Sequence, residues 1–462
     1  MILDYRSTDA DRYIDAVRAH NDGKELKAAV ITFGCQQNEA DSERIRGLAL
    51  LMGYTITDDP ENADLIVINT CAIRAHAEMK ALSMLGRFKA QKKKNPELII
   101  GIAGCMAAES HVAQMLKTDF HYVSFTVEPS LLYMIPELVF KYLSSRKRSF
   151  VFGKDEGNIV EGPKAVRMSE HRAWVSVMYG CNNFCSYCIV PYVRGRERSR
   201  ASNDIICECK ELVSKGYKEI TLLGQNVNSY KSDIGFPELL DRIASVDGDF
   251  IVRFMTSHPK DCSDELIKVM AKNAPKIAPY FHLPMQSGST NILRKMNRRY
   301  TKDRFLELAF ALKERVPGIA LSTDVIVGFP GETDADFDDT LDVLSRVRFD
   351  LVYSFIYSPR VGTPAASMED QVPREISDKR MARLLALQDE ISLERSKAYV
   401  GTVQRVLVDS IEERDGEMLA NGRTESNKLV HFPASDIEIG CFVKVKITAA
   451  GPFDLFAEIE RG

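Results

Sequence analysis

The chain has 462 residues, 45% of them hydrophobic and 27% charged, with ten cysteines and a formal net charge of −4. That length allows two to four ordinary domains, each able to bury a core, and no apolar run approaches the roughly 20 residues of a membrane span. The charge excludes overall basicity as a route to a nucleic acid, so any RNA contact must use local patches. The start, Met1-Ile2-Leu3-Asp4-Tyr5-Arg6, lacks the basic-then-apolar order of a secretion signal, so a soluble, cytoplasmic chain is expected, with no membrane partner.

Residues 1–25 are polar, without a strong period, and read as an extension or a loosely held helix. From Lys27 a β/α alternation begins. Strands are expected at 28–33, 64–68 and 98–102, with helices at 38–52 and 74–91 between them. This pattern implies a parallel sheet with helices on its faces, over a domain at 26–145. A linker over 146–166 carries Gly153, Gly157, Gly162 and Pro163. A second alternating series fills 167–397, with strands at 173–179, 219–223, 251–255, 279–283, 320–327 and 351–357. Six parallel strands are too few for an eight-stranded barrel and suit an open, partial (β/α)6 barrel. A long charged helix at 374–397 ends it. From 398 to 462 short alternating runs between turn signals predict a small antiparallel β-barrel. The fold class is therefore α/β with a C-terminal all-β domain.

Cysteine placement carries the chemistry. Many cysteines in a reducing compartment point to metal or catalysis rather than disulfides. Cys181, Cys185 and Cys188 form a Cys-x3-Cys-x2-Cys run after the first strand of the second series. Three thiolates hold three corners of a [4Fe–4S] cube, one per iron. The fourth iron then has an open position, which S-adenosylmethionine (SAM) can chelate through its amino and carboxylate groups. Electron transfer from the cluster would break a carbon–sulfur bond and release a 5′-deoxyadenosyl radical. A zinc knuckle lacking its fourth ligand is the alternative; zinc sites usually show four ligands, and no histidine lies close by to complete this one. Candidate SAM contacts lie at other strand ends of the same series, where such folds bind ligands: Gly224 and Gln225, Gln286 and Ser287, Asp324 and Gly328. Each could equally be a structural turn.

Cys35, Cys71 and Cys105 are separated by 36 and 34 residues, about one β/α unit each. Each lies just past a predicted strand, and parallel strands point their carboxyl ends to one edge. The three thiols should therefore converge, as a second [4Fe–4S] site with one open iron or, in the plainer reading, as three buried free thiols. Cys207, Cys209, Cys262 and Cys441 read as structural. Between Ala398 and Gly462 there are 7 Lys plus Arg against 11 Asp plus Glu, a net charge of −4, which is odd for a phosphate-binding barrel. Arg423, Lys428, Lys444 and Lys446 could form one basic face of it. Arg194, Arg196, Arg198 and Arg200, beside the cysteine loop, make the best RNA patch. Arg294, Lys295, Arg298 and Arg299 make another. A solvated face is the ordinary reading of each.

The segments Thr32-Phe-Gly-Cys35-Gln-Gln-Asn38, Asn69-Thr-Cys71, Gly104-Cys105 and the run from Gly180 to Gly195 resemble the methylthiotransferase family of radical SAM enzymes, over nearly the whole chain from Lys27. Leu223–Tyr230, Thr256–Pro259, Tyr357–Arg360 and Gly422–Lys428 are more similar to its tRNA-modifying members than to those acting on ribosomal protein. Gln37 departs from the pattern, where a more apolar residue is expected. The resemblance implies methylthiolation at C2 of an N6-prenylated adenosine beside the tRNA anticodon. It also implies Cys181, Cys185 and Cys188 as ligands of the radical-generating cluster, Cys35, Cys71 and Cys105 as ligands of an auxiliary, sulfur-carrying cluster, and a TRAM-like RNA-binding barrel at the C-terminus. The expected partners are the anticodon stem-loop of tRNA and an electron donor of flavodoxin or ferredoxin type, and a monomer is expected. Methylthiolation of a ribosomal-protein side chain or of a different tRNA adenosine, an iron–sulfur RNA-binding or sensor protein without turnover, and a zinc-binding RNA module remain the competing readings.

Overall fold

A computed structural model of the chain describes residues 2–4, 8–72, 75–151, 159–161, 165–414, 416–434 and 436–460. The glycines and proline of the expected linker, and Arg74 at the expected start of a helix, lie outside them. The chain divides into two compact units. The first comprises Met1–Met168, Met178–Asn182 and Ile189–Ala201; the second comprises Ser169–Val177, Asn183–Cys188 and Ser202–Gly462. Among the described residues no helix is long and apolar enough to cross a membrane.

The first unit is built on a six-stranded sheet, parallel throughout, in the order Thr55–Ile56, Lys27–Phe33, Leu65–Thr70, Ile99–Gly104, Phe125–Val127, Ser149–Val151. Leu65–Thr70 and Ile99–Gly104 are buried at every residue, as a sheet covered by helices on both faces requires. Two separate apolar cores result, one around Val67, Phe125 and Ile135, the other around Ile66, Ile100 and Leu116. The N-terminal segment is firmer than its polar composition suggests. Its helix Ala10–Asn21 buries Ala10, Ile14 and Val17, a stripe at i, i+4 and i+7, and Tyr13 packs on Phe140 at 5.6 Å between ring centroids. Only three short apolar side chains make that stripe, too few to stand out from the charges around them.

The second unit holds two three-stranded parallel sheets. Arg172–Ser176, Glu219–Leu223 and Ile251–Phe254 form one; Tyr280–His282, Ala320–Val327 and Leu351–Ile356 form the other. Backbone bonds of Val252 to Lys276 and Ala278 link the third strand to the approach to the fourth. These are the six strands of the expected partial barrel, each within a few residues of its predicted span. Helix Arg374–Lys397 follows. The chain then closes a five-stranded barrel of Val403–Arg414, Glu417–Thr424, Leu429–Pro433, Asp454–Ile459 and Phe442–Ala450. Val406, Val408, Val430, Phe432, Val445, Ile447 and Leu455 fill it. One pair, Leu429–Pro433 with Asp454–Ile459, is parallel, so the barrel is not purely antiparallel.

Buried charges seat this terminal barrel against the amino ends of the central strands. Arg253 donates from Nε to Glu219 at 2.6 Å, and from its two terminal nitrogens to the carbonyls of Glu425 and Thr424 at 2.9 Å each. Arg172 bridges Glu219, at 3.4 Å, and Asp409. Burial works against the Glu219 charge, yet Arg253 and Arg172 hold its pKa below the usual carboxylate value. With the folded pKa depressed, its contribution to stability is present above the ordinary carboxylate pKa and is lost as the pH falls through that range. Removing one member of a buried ion network leaves its partners uncompensated. Glu219→Gln should therefore lower stability by about 3–5 kcal/mol at neutral pH and by less near pH 4. Denaturant midpoints at the two pH values measure this, and an equal loss at both would contradict it.

Candidate functional site

Strand register decides where the first three cysteines go. Phe33 pairs with Thr70, and Thr70 with Gly104. Cys35, Cys71 and Cys105 each follow that row within two residues, so they gather at one edge of the sheet. Cys71 and Cys105 are almost wholly buried. Cys35 caps helix Gln36–Leu51 in extended conformation. A hydrogen bond from Cys71 holds its thiol down to about 5, against burial and aided by the Arg194 charge and the amides of Asn38 and Gln37. Burial pushes the Cys105 thiol up. Two glycines permit the approach. A Cβ on Gly34 would meet Asn38 Oδ1 at 2.4 Å and the Cys71 Cβ at 3.0 Å; one on Gly104, at φ +95°, would meet the Thr70 carbonyl at 2.4 Å. The amides of Asn38 and Asn69 are interlocked beneath: Asn69 Nδ2 donates to the Asn38 carbonyl at 2.8 Å and to Ser42 Oγ at 2.9 Å.

Arg194, expected at the surface, lies inside this first unit. It is 5% exposed, and it donates from Nε to Cys105 Sγ at 3.0 Å and from Nη2 to Asp41 Oδ2 at 2.9 Å. Gln37, the departure from the family pattern, donates to the other oxygen of Asp41 at 3.3 Å. Asp41 carried no signal in the sequence, because its partner is 153 residues away.

The residues of the Cys-x3-Cys-x2-Cys loop are divided between the two units. In the first, Cys181 N–H donates to the Gly195 carbonyl at 3.1 Å. In the second, Cys188 N–H donates to the Cys185 carbonyl at 2.9 Å, closing a turn, and Phe184 before it takes a left-handed φ of 46°. Asn297 Nδ2 donates to the carbonyls of Asn183 and Phe184 at 3.2 and 2.9 Å, and Ser186 N–H to that of Met296 at 3.0 Å. Arg298 is buried, not part of a basic surface. It reaches Cys185 Sγ at 3.4 Å, the Tyr300 hydroxyl at 3.0 Å and the Pro284 carbonyl at 2.9 Å. Among the described residues no three His, Cys, Asp or Glu side chains are gathered as the ligands of one metal ion. A four-iron cube asks for something different, one thiolate at each of three separate corners. Each loop supplies thiols, glycine or left-handed backbone, and a charged donor to sulfur, which fits such a cube.

The other rim residues stand at the carboxyl ends of the central strands. Gly224 and Gln225 follow Glu219–Leu223; Gln286 and Ser287 follow Tyr280–His282; Asp324 and Gly328 belong to Ala320–Val327 and its end. Gln286, at φ +70°, and Asp324 are joined directly, Gln286 N–H donating to the Asp324 carbonyl at 2.8 Å. Asp324 Oδ2 also lies 3.3 Å from His282 Nε2, and His282 Nδ1 lies 2.9 Å from Ser322 Oγ. At Gly328 a Cβ would meet Ser377 Oγ at 2.1 Å, so packing against helix Arg374–Lys397 by itself demands glycine. On the last strand Tyr353 and Phe355 are exposed. They pair with Asp324 and Ile326 and share their face, and the Tyr353 ring lies 5.8 Å from His282. A cavity of about 730 Å³ lined by Lys313, Arg395, Tyr399, Gln404, Glu425 and Ser426 lies at the opposite, amino end of the strands, and no cysteine lines it.

The basic patches change accordingly. Arg200 is buried like Arg194, Arg198 is half-buried and Arg196 exposed. Lys428 is 7% exposed and faces Asp350 at 3.6 Å. Arg423 is half-buried, with Nη1 on the Asn427 carbonyl at 3.2 Å. Lys444 and Lys446 are exposed. Arginines that look like one patch along the sequence are divided between core and surface because the loop folds back into the first unit.

The radical SAM superfamily matches residues 175–344, the Uncharacterized protein family UPF0004 residues 27–127, and the TRAM domain residues 397–459. The first of these implies a [4Fe–4S] cluster and SAM as cofactors. A tRNA-2-methylthio-N(6)-dimethylallyladenosine synthase of Thermoanaerobacter sp. (strain X514) is 46% identical over 453 residues, 97% of this chain and 96% of its own. That of Caldicellulosiruptor saccharolyticus is 47% identical over 441 residues, 95% of this chain and 93% of its own. Among solved structures, the radical S-adenosylmethionine methyltransferase TsrM from Kitasatospora setae superposes with a TM-score of 0.54 at 12% identity over 74% of each chain. The cobalamin-dependent radical enzyme OxsB does so at 0.52 and 11% identity, over 79% of this chain and 56% of its own. At such identity these two share the fold alone. The end-to-end likeness to the synthases goes further, and by it this chain belongs to the tRNA-2-methylthio-N(6)-dimethylallyladenosine synthase family of radical SAM enzymes.

Proposed function

We propose that the chain adds a methylthio group to C2 of an N6-prenylated adenosine beside the anticodon of tRNA, as the names of its relatives indicate for them. The observation that carries this is the convergence of Cys35, Cys71 and Cys105 on one register row, in a chain that also has the Cys-x3-Cys-x2-Cys loop. Cys181, Cys185 and Cys188 hold the cluster that works with SAM. Cys35, Cys71 and Cys105 hold an auxiliary cluster that carries sulfur. Bound SAM supplies a methyl group by polar transfer and, when reductively cleaved, a 5′-deoxyadenosyl radical. Gly224, Gln225, Gln286, Ser287, Asp324 and Gly328 form the SAM rim. The working regions are 26–145, 167–397 and 398–462, joined by 146–166, and a flavodoxin- or ferredoxin-type donor supplies electrons.

Substrate demands fit the second unit's open strand. The hydrogen on C2 of adenine is too weakly acidic for a side-chain base, and a stacked base cannot reach a rim, so the nucleotide must be turned out of its loop. In single-stranded RNA that costs only a few kcal/mol. Tyr353 and Phe355, exposed on the face of His282 and Asp324, offer aromatic surface for the base and the prenyl group. Burial of prenyl surface is worth about 25 cal/mol per Å², a gain that plain adenosine lacks. Arg196, Arg198, Arg423, Lys444 and Lys446 are the remaining candidates for backbone contact.

Anaerobic reconstitution should give on the order of eight irons per chain. Replacing Cys181, Cys185 and Cys188 by alanine should halve that and abolish SAM cleavage. Replacing Cys35, Cys71 and Cys105 should halve it, keep SAM cleavage and abolish sulfur insertion. A Cys35, Cys71, Cys105 triple variant that still methylthiolates RNA would end the auxiliary-cluster reading.

For the substrate, prenylated and plain anticodon stem-loops of one sequence should be compared. The prenylated loop should react and the plain one should not, with S-adenosylhomocysteine and 5′-deoxyadenosine both released. Phe355→Ala should weaken capture of the prenylated loop several-fold, read as a raised KM. Equal reaction of both loops would remove the prenyl-adenosine assignment.

A further inference from the structure

We infer that Arg194 is a positioning residue for the auxiliary cluster: its guanidinium holds the Cys105 sulfur and makes the cluster easier to reduce, with Asp41 as its counter-ion. This rests on the reading of Cys35, Cys71 and Cys105 as cluster ligands.

The case begins with cost. A buried guanidinium is expensive unless it is paired and hydrogen-bonded. Asp41 meets the first need: the two side chains are 4% and 3% exposed and 2.9 Å apart, and Gln37 steadies the carboxylate. A purely structural pair would then turn its remaining donors to carbonyls, as Arg253 does in the second unit. Arg194 instead aims Nε at a sulfur, 3.0 Å from Cys105 Sγ. Its delivery is specific too. Helix Val190–Val193 ends at Arg194, and Ile189 and Val193 pack on Ala72 and Cys105. The segment just after Cys188 is thereby built into the N-terminal unit, with its guanidinium at the cysteine edge.

The three thiols have unlike surroundings. Cys35 sits at a helix N-terminus, with the amides of Gln37 and Asn38 toward it. Cys105 has no helix dipole to lean on at its short turn Cys105–Ala108 and takes a charged donor. Hydrogen bonds to cluster sulfurs and nearby positive charge favour the more negative, reduced state and raise the potential. The planar fork of arginine can serve Asp41 and a sulfur at once; a lysine ammonium is a single point charge on a flexible stem.

The test uses the full chain with Cys181, Cys185 and Cys188 replaced by alanine, so that one cluster titrates alone. In that background Arg194→Met, Arg194→Lys and the double variant Asp41→Asn with Arg194→Met are reconstituted and titrated by electron paramagnetic resonance. The double variant avoids leaving Asp41 buried and unpaired. The expected result is a midpoint potential lower by at least a tenfold change in the one-electron equilibrium, about 59 mV, in both methionine variants, with partial return in Arg194→Lys. Failure to hold iron in the methionine variants, with the metal-free unfolding midpoint of the double variant unchanged, would equally support a holding role. Full iron and an unchanged midpoint potential in both methionine variants would overturn the inference. A background protein that binds no iron at all would instead overturn the auxiliary-cluster reading beneath it.

Discussion

Parallel pairing in the N-terminal sheet is the constraint on which the proposed chemistry depends. One register row, Phe33 to Thr70 to Gly104, turns three cysteines more than 30 residues apart into neighbours. A slip of one residue in either pairing would reverse the facing of a whole strand. The slip is resisted by the burial of every residue in the two central strands, since both faces must match helices at once. The interlocked Asn38 and Asn69 amides add a polar check at the same level. The glycines then act locally, giving the backbone room where a side chain would collide with its neighbours.

Charge is handled in two ways along the chain. On surfaces, lysines and arginines stand in helical i, i+4 pairs such as Lys215 with Glu211, each worth little. Inside, arginines connect elements distant in sequence. Arg253 ties the amino ends of the central strands to the turn at Thr424 and Glu425, and Lys428 faces Asp350 at the start of the last strand. The terminal barrel, with its net charge of −4, uses some of its charges in this way. Part of its basic complement is internal, and its acidic Asp409 answers Arg172. Among the described residues Arg414, Lys444 and Lys446 are exposed, a small set rather than a phosphate-binding field.

Element order, the six central strands and the placing of Cys35, Cys71 and Cys105 at one sheet edge were legible in the sequence, because periodicity and spacing are local signals. The terminal barrel was legible too, except for its one parallel pair, which depends on a chain crossing that no local pattern records. Residues 10–21 hid a packed helix because its apolar stripe is only three short side chains wide. The basic patches misled for a different reason. A run such as Arg194, Arg196, Arg198 and Arg200 states charge, while burial is decided by partners elsewhere: Asp41 and Cys105 for Arg194. Arg298 was likewise read as surface, though Tyr300, Pro284 and Cys185 enclose it. Gln37 looked like a blemish on a family motif, and its meaning appeared only with the carboxylate it supports.

The two cysteine triads, each proposed to hold a cluster, have differently built arginine neighbours. Each has a buried arginine aimed at one sulfur, but the arginines are balanced differently. Arg194 is paired with Asp41 and also donates to Cys105 Sγ, so it serves a carboxylate and a sulfur at once. Arg298 is bonded to neutral oxygens, the Tyr300 hydroxyl and the Pro284 carbonyl, beside its contact with Cys185 Sγ. In a low-dielectric interior a whole uncompensated charge acts far more strongly than an ion pair. The sheet edge of Cys35, Cys71 and Cys105 has the shorter contact, Arg194 Nε lying 3.0 Å from Cys105 Sγ against 3.4 Å between Arg298 and Cys185. For the two clusters proposed, that contrast would allow different potentials without any difference in the number or kind of their protein ligands.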